Sequence, residues 1–200
     1  MRNSGTKMGR HREFDENEVL DKAVEVFWRC GYSGAPIQEI CDAMGLKPGS
    51  VYAAFGNKHG LFLAVIRRYL DSMNRPGLEL LESNPCGLDG IRAYFDFVVD
   101  GIINGNRRWG CLGTNAFVEL KEVDEDVARL MSDHLARLET AFRDALMRDA
   151  WENPESQAKC LLCIAQGLNV FAKTSPSRDA LQSVVDVAIA SLVSSRLAAE

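Results

Sequence analysis

Apolar residues recur at helical spacing along nearly the whole chain. Val19, Leu20, Ala23, Val24, Phe27 and Trp28 form the first stripe, with Asp15 placed as its N-cap and Glu18 three residues on as a capping box. Gly31 stops this helix. Pro36 opens a short second helix that turns Ile37, Ile40, Cys41 and Met44 inward, and Gly45 makes the turn after it. A third short helix spans 47–55. Asn57 caps a long fourth one with Leu61, Phe62, Val65, Ile66, Tyr69, Leu70 and Met73 inside, which Pro76-Gly77 interrupts or ends.

A second series follows. The pattern predicts helices over 88–103, from the 105–110 loop to about 122, over 125–151, from Pro154 to about 173, and from a Ser177 cap almost to the end. No apolar/polar alternation bounded by turns signals a strand. The last two helices are apolar over much of their circumference: Leu161, Leu162, Ile164, Ala165, Leu168 and Phe171, then Val184, Val185, Val187, Ala188, Ile189, Leu192 and Val193. A helix apolar beyond one stripe needs partners on two sides. A second copy packed as a four-helix bundle would supply the second side; deep burial in a monomer is the plainer reading.

Charge sharpens the picture. The formal net charge is -5, which taken alone argues against nucleic acid as a partner. Its distribution says otherwise. Arg2, Lys7, Arg10 and Arg12 precede the first acid, Glu13, and an acid-free window from Ala43 to Leu70 carries Lys47, Lys58, His59, Arg67 and Arg68. Two short helices joined by a Gly-containing turn beside such a window suggest a helix-turn-helix. No apolar run reaches the roughly 20 residues of a membrane helix, and the basic start lacks the apolar stretch of a secretory signal, so a cytoplasmic protein with reduced cysteines is expected.

The residues in that region carry a resemblance. Phe27-x-x-x-Gly31-Tyr32 ending the first helix, Ile37-x-x-Ile40, Gly45-Leu46 in the turn, Val51-Tyr52-x-x-Phe55 and Asn57-Lys58 resemble the N-terminal domain of TetR-family (tetracycline-repressor-like) regulators over about a quarter of the chain. The resemblance implies an all-α fold of about nine helices. Residues 1–56 would be an N-terminal arm and three-helix helix-turn-helix domain. Residues 57–200 would be a helical sensor and dimerisation bundle, with 57–75 as the connecting helix. It implies a repressor that binds double-stranded operator DNA as a homodimer through its last two helices and answers to a small-molecule or electrophile inducer.

In a helix-turn-helix the second helix enters the major groove by its N-terminal end. Here that end is Lys47, Pro48, Gly49 and Ser50, with Tyr52 and Ala53 toward DNA, Val51 and Phe55 inward, and Lys58 on phosphate. Ser50, Lys47 and Ala53 against a thymine methyl give limited base readout. Arg10 and Arg12 add an arm, or are a plain basic tail. Ala35 stands where the family often has a capping Thr or Ser, and His11 where it has Pro; both would weaken binding.

In the sensor part, Cys111 sits between Gly110 and Gly113 at the start of the short helix after Arg107 and Arg108, the microenvironment of a reactive cysteine. The segment resembles a subgroup that includes the N-ethylmaleimide-responsive repressor, in which this cysteine responds to electrophiles and oxidants, with Lys173 a loose match to a partner. The competing reading of Cys111 is a small core hydrophobe. A non-covalent pocket is the other sensor, with Phe95, Trp109, Phe117, Phe142 and Phe171 as walls and Met131 and His134 nearby.

Cys160 and Cys163, at i and i+3, read as core packing rather than a metal pair. Cys30 and Cys41 read as structural. The acids Glu122, Asp124, Glu125 and Asp126 read as capping and charging a helix start. No phosphate loop, nucleophile elbow or dinucleotide fingerprint is present, so no enzyme, cofactor or metal is expected. A small thiol-dependent peroxidase resting on Cys111, and a helical adaptor that does not bind DNA, are the alternatives.

Overall fold

The computed structural model describes residues 14–105, 107–120 and 124–197, which are helical with no strand. The spans are α1 (Glu16–Gly34), α2 (Ile37–Met44), α3 (Pro48–Phe55), α4 (Lys58–Tyr69), α5 (Arg75–Ser83), α6 (Gly87–Ile103), α7 (Leu112–Leu120), α8 (Glu125–Arg148), α9 (Pro154–Phe171) and α10 (Arg178–Leu197).

Caps set most boundaries. The Asp15 side chain accepts from the backbone N–H of Asn17 (2.9 Å) and Glu18 (3.3 Å), but the reciprocal half of the capping box is not made: Glu18 pairs with Lys22 at 2.7 Å. Asn57 accepts from Gly60 N at 2.8 Å to start α4, Asp124 from Val127 N at 3.0 Å to start α8, and Ser177 from Ala180 N at 3.2 Å to start α10. Gly31 adopts φ 71°, ψ 179°, so α1 is kinked and its last residues form a separate turn. An L side chain rarely adopts that backbone.

The break expected at Pro76-Gly77 lies elsewhere. Residues Leu70–Asn74 form a π-helical turn, and α5 starts at Arg75 with Pro76 in its first turn. Proline is tolerated there because the π-helical turn before it has already interrupted the regular i→i−4 ladder that its N–H would have joined. The chain therefore runs as one rod from α4 through α5 to Asn84, which makes nine rods of the ten spans among the described residues.

Two apolar cores organise these rods. The first gathers α1–α4 and also takes in Cys111, Leu112, Ala116 and Leu120 around α7 and Val127 and Met131 of α8. Phe27 and Phe62 sit at its centre with ring centroids 4.8 Å apart. Each buries its whole side chain, worth about 2–3 kcal/mol. The second core joins α5, α6, the rest of α8, α9 and α10 around Phe95 and Phe142. Between them runs the loop ahead of α7, fixed by Gly110 (φ +79°), where a Cβ would fall 2.3 Å from the Asn169 carbonyl oxygen.

Candidate functional site

Helix α3 is held to the molecule by one fully buried side chain, Val51, with Phe55 half-buried behind it. Lys47 is its N-cap residue and Pro48 opens it. Lys47, Gly49, Ser50, Tyr52 and Ala53 are exposed, Tyr52 at 43%. The face opposite Val51 is thus free of the protein and small except for Tyr52. Lys58, half-buried at the start of α4, lies over the Tyr32 ring, 4.8 Å from its centroid. Ala35 is buried and α2 has no side-chain cap. Arg68 of the basic window is engaged within the protein: its guanidinium donates to both carboxylate oxygens of Asp21 at 2.7 Å, fastening α4 to α1. Arg10 and Arg12, like His11 and Glu122, lie outside the described residues.

Cys111 is the residue before α7, its carbonyl accepting from Asn115 N at 2.9 Å, and it is 4% exposed. Around it converge polar groups from several elements. Asn74 Nδ2 is 3.8 Å from Cys111 Sγ and 3.2 Å from His134 Nε2, while Asn74 Oδ1 accepts from Arg107 Nη2 at 2.9 Å. The same Arg107 amino group donates to the Met73 carbonyl at 2.8 Å. Because Asn74 Oδ1 serves Arg107, its amide NH₂ faces His134, and His134 Nε2 accepts. Burial, with Arg137 and Arg107 nearby, pushes the His134 pKa down to about 4, so it is neutral at physiological pH. Burial likewise raises the Tyr69 and Tyr94 hydroxyls well above their ordinary value. The two neighbouring arginines point apart. Arg107 is 5% exposed, whereas Arg108 is exposed, stacks on Trp109 at 4.0 Å and reaches Glu25 at 3.5 Å.

The expected aromatic walls do not line one pocket. Phe95 and Phe142 fill the second core, Trp109 and Phe117 edge the first, and Phe171 is 38% exposed. Their periodicity marked burial but not which core each joins. Met131 packs under Gly113, whose Cβ would meet its Sδ at 2.5 Å, and only His134 faces the polar cavity. Lys173 is exposed, and a Cβ on Gly110 would lie 3.6 Å from its Cε.

Cys160 and Cys163 are exposed, a correction to the core reading: their face of α9 is turned away from the second core. Cys160 borders an open groove of about 750 Å³ between α9 and α10 that Ile164, Val184 and Val187 also line. Cys41 is buried and Cys30 half-buried. His59, Asp124 and Asp126 come together, but His59 Nε2 and Asp124 Oδ2 are bonded to each other at 2.7 Å and Asp126 to Arg129.

Sequence reasoning missed Glu119. From α7 its two carboxylate oxygens accept the backbone N–H of Tyr32 (3.0 Å) and Ser33 (2.9 Å), the donors freed by the Gly31 kink. Burial raises its pKa, but the Ser33 and Tyr32 donors and the charge of Lys58 outweigh that and hold it below the ordinary value. A helix of the C-terminal half thereby grips the corner from which α2 and α3 hang. Only the positive φ demanded at Gly31 hinted at it.

Residues 19–65 match the family described as bacterial regulatory proteins, tetR family. Over 193 residues the chain is 33% identical to the uncharacterized HTH-type transcriptional regulator YezE of Bacillus subtilis strain 168, covering 92% of this chain and 100% of that one. It is 29% identical over 184 residues to the HTH-type transcriptional repressor ComR of Escherichia coli K12, covering 88% of each. A solved structure of a cysteine mutant of the TetR family transcriptional regulator CifR with a 26 bp double-strand operator DNA superimposes with a TM-score of 0.78 at 28% identity, over 90% of this chain and 98% of that chain. The reduced form of Escherichia coli NemR shares the fold, with a TM-score of 0.71 at 23% identity over 88% of this chain and 93% of that chain.

Proposed function

The chain belongs to the TetR family of bacterial regulatory proteins and is a DNA-binding transcriptional regulator; from that premise we propose that it is a homodimeric repressor, released from a palindromic operator by a small molecule or by modification of Cys111. The observation that carries the reading is α3, anchored by Val51 with its other face exposed. That face enters the major groove. Lys47, Ser50 and Ala53 meet base edges, Gly49 allows close approach, and Tyr52 and Lys58 contact phosphates. Arg10 and Arg12 extend the contact as an arm.

The dimer forms through α9 and α10, where Val184 and Val187 line the α9/α10 groove and Phe171 is exposed at the end of α9. Three exposed apolar side chains on neighbouring helices are the expected mark of an interaction face. The C-terminal half senses the inducer through the polar surroundings of Cys111. Regulators named as repressors and bound to operator DNA among the similar proteins support this.

The test is a mobility-shift titration onto DNA from the protein's own upstream region. The wild type should bind with affinity that falls steeply with salt, and Lys58→Ala should reduce the slope of log K against log[salt] by about 1. Absence of salt-sensitive duplex binding would sink the reading. A second arm adds a mild electrophile: release from wild type but not from Cys111→Ser assigns sensing to the thiol, and retention by both turns the search to non-covalent ligands.

A further inference from the structure

Away from Cys111, an imidazole and two carboxylates converge from two helices. His59, in the first turn of α4, and Asp124 and Asp126, at the start of α8, each bring a donor atom to within 4.8 Å of the other two. His59 and Asp124 are 65 positions apart in the chain, so tertiary folding assembles the group. Asp124 is its fixed member. Its side chain is 11% exposed; Oδ1 accepts from Val127 N at 3.0 Å, which leaves Oδ2 turned to His59 Nε2 at 2.7 Å.

We propose that His59, Asp124 and Asp126 bind one divalent first-row transition ion, of the manganese-to-zinc class, which ties the start of α4 to the start of α8. One imidazole with two carboxylates suits such an ion, whereas magnesium prefers oxygen donors and keeps its waters. Donors held about 2.1 Å from a shared ion stand roughly 3–4 Å apart. The change required is therefore small. His59 Nε2 and Asp124 Oδ2 separate slightly as the ion replaces the proton between them, which is released to solvent. Asp126 turns from Arg129 to the ion, and waters fill the remaining positions.

Little opposes that exchange. The Asp126 and Arg129 side chains are 46% and 70% exposed, and an exposed ion pair contributes little. The starts of α4 and α8 carry roughly half a positive charge each, which two carboxylates outweigh. The Val127 N–H holds the orientation of Asp124, the outer support that a ligating carboxylate needs. The inference goes beyond the reading of Cys111 and does not depend on it. Helix α4 directly follows α3, and α8 carries Val127 and Met131 into the first core, so the ion fastens the helices proposed to meet DNA to the C-terminal half.

The experiment titrates Mn²⁺ into the full-length protein after dialysis against a chelator, with free ion read by electron paramagnetic resonance. Manganese is chosen because the exposed thiols of Cys160 and Cys163 are poor ligands for it. Wild type should retain one ion per chain. Zn²⁺ should displace it, since nitrogen and oxygen donors bind zinc more tightly than manganese, and an equal concentration of Mg²⁺ should not. Asp124→Asn keeps a capping acceptor for Val127 N but removes the carboxylate, and Asp126→Asn gives up only the exposed pair with Arg129. Each should weaken Mn²⁺ binding by at least about tenfold with the circular dichroism spectrum unchanged. Failure of the wild type to retain Mn²⁺ overturns the proposal. So does displacement by equal Mg²⁺, or wild-type affinity in both variants.

Discussion

At the scale of single residues, the polar joints are the informative ones. Glu119 replaces the acceptors that the Gly31 kink takes from Tyr32 and Ser33. Glu119→Ala should cost about 1–2 kcal/mol, with solvent exposure of the carboxylate keeping the loss toward the lower figure. Its pKa is lowered, so its contribution is present above the unfolded carboxylate pKa and is lost as pH falls through the folded value. His134 acts over its own pH window. Its folded pKa of about 4 lies below its ordinary value of 6.5, so the unfolded state binds its proton first and stability declines as pH drops from 6.5 toward 4. Denaturant melts of wild type and His134→Asn across that window should show the decline in wild type and a flatter curve in the variant. Neither joint could be read from the chain. Partners of Glu119 lie 86 and 87 positions away, and nothing in RRWG tells which arginine turns inward.

Among elements, periodicity and capping residues located nearly every helix because both are local signals. Asp15, Asn57, Asp124 and Ser177 all act as caps in the structure. The π-helical turn was illegible for a physical reason: it adds one residue to a turn without breaking the apolar stripe, while Pro76 advertises a break that the first turn of a helix absorbs. Cys160 and Cys163 were misread because an outward face and a core face look alike when both are apolar. Helix α3 depends on very little. Val51→Ala should weaken operator binding more than it lowers the global Tm, since Val51 is the only fully buried side chain in α3. Equal operator affinity for the two proteins would show that Phe55 and the flanking turns suffice to hold the helix.

For the whole molecule, the exposed apolar side chains on α9 and α10 set a sharp expectation. Val187 is 70% exposed in the single chain. Val187→Glu should leave the helical content and the fold intact but convert the proposed dimer to a monomer by sedimentation, and operator binding should fall with it. A variant that stays dimeric would place the interface elsewhere.

The first apolar core has a consequence for synthesis. It is built largely from α1–α4, yet it closes only with Leu112, Ala116, Leu120, Val127 and Met131. Ribosomes add about 5–20 residues per second. The helices that carry the proposed recognition surface therefore leave the exit tunnel several seconds before the residues that complete their interior. During that interval Phe27, Phe62 and Ile66 have no finished shelter, and chaperone binding to nascent chains should be strongest between the emergence of α4 and that of Met131.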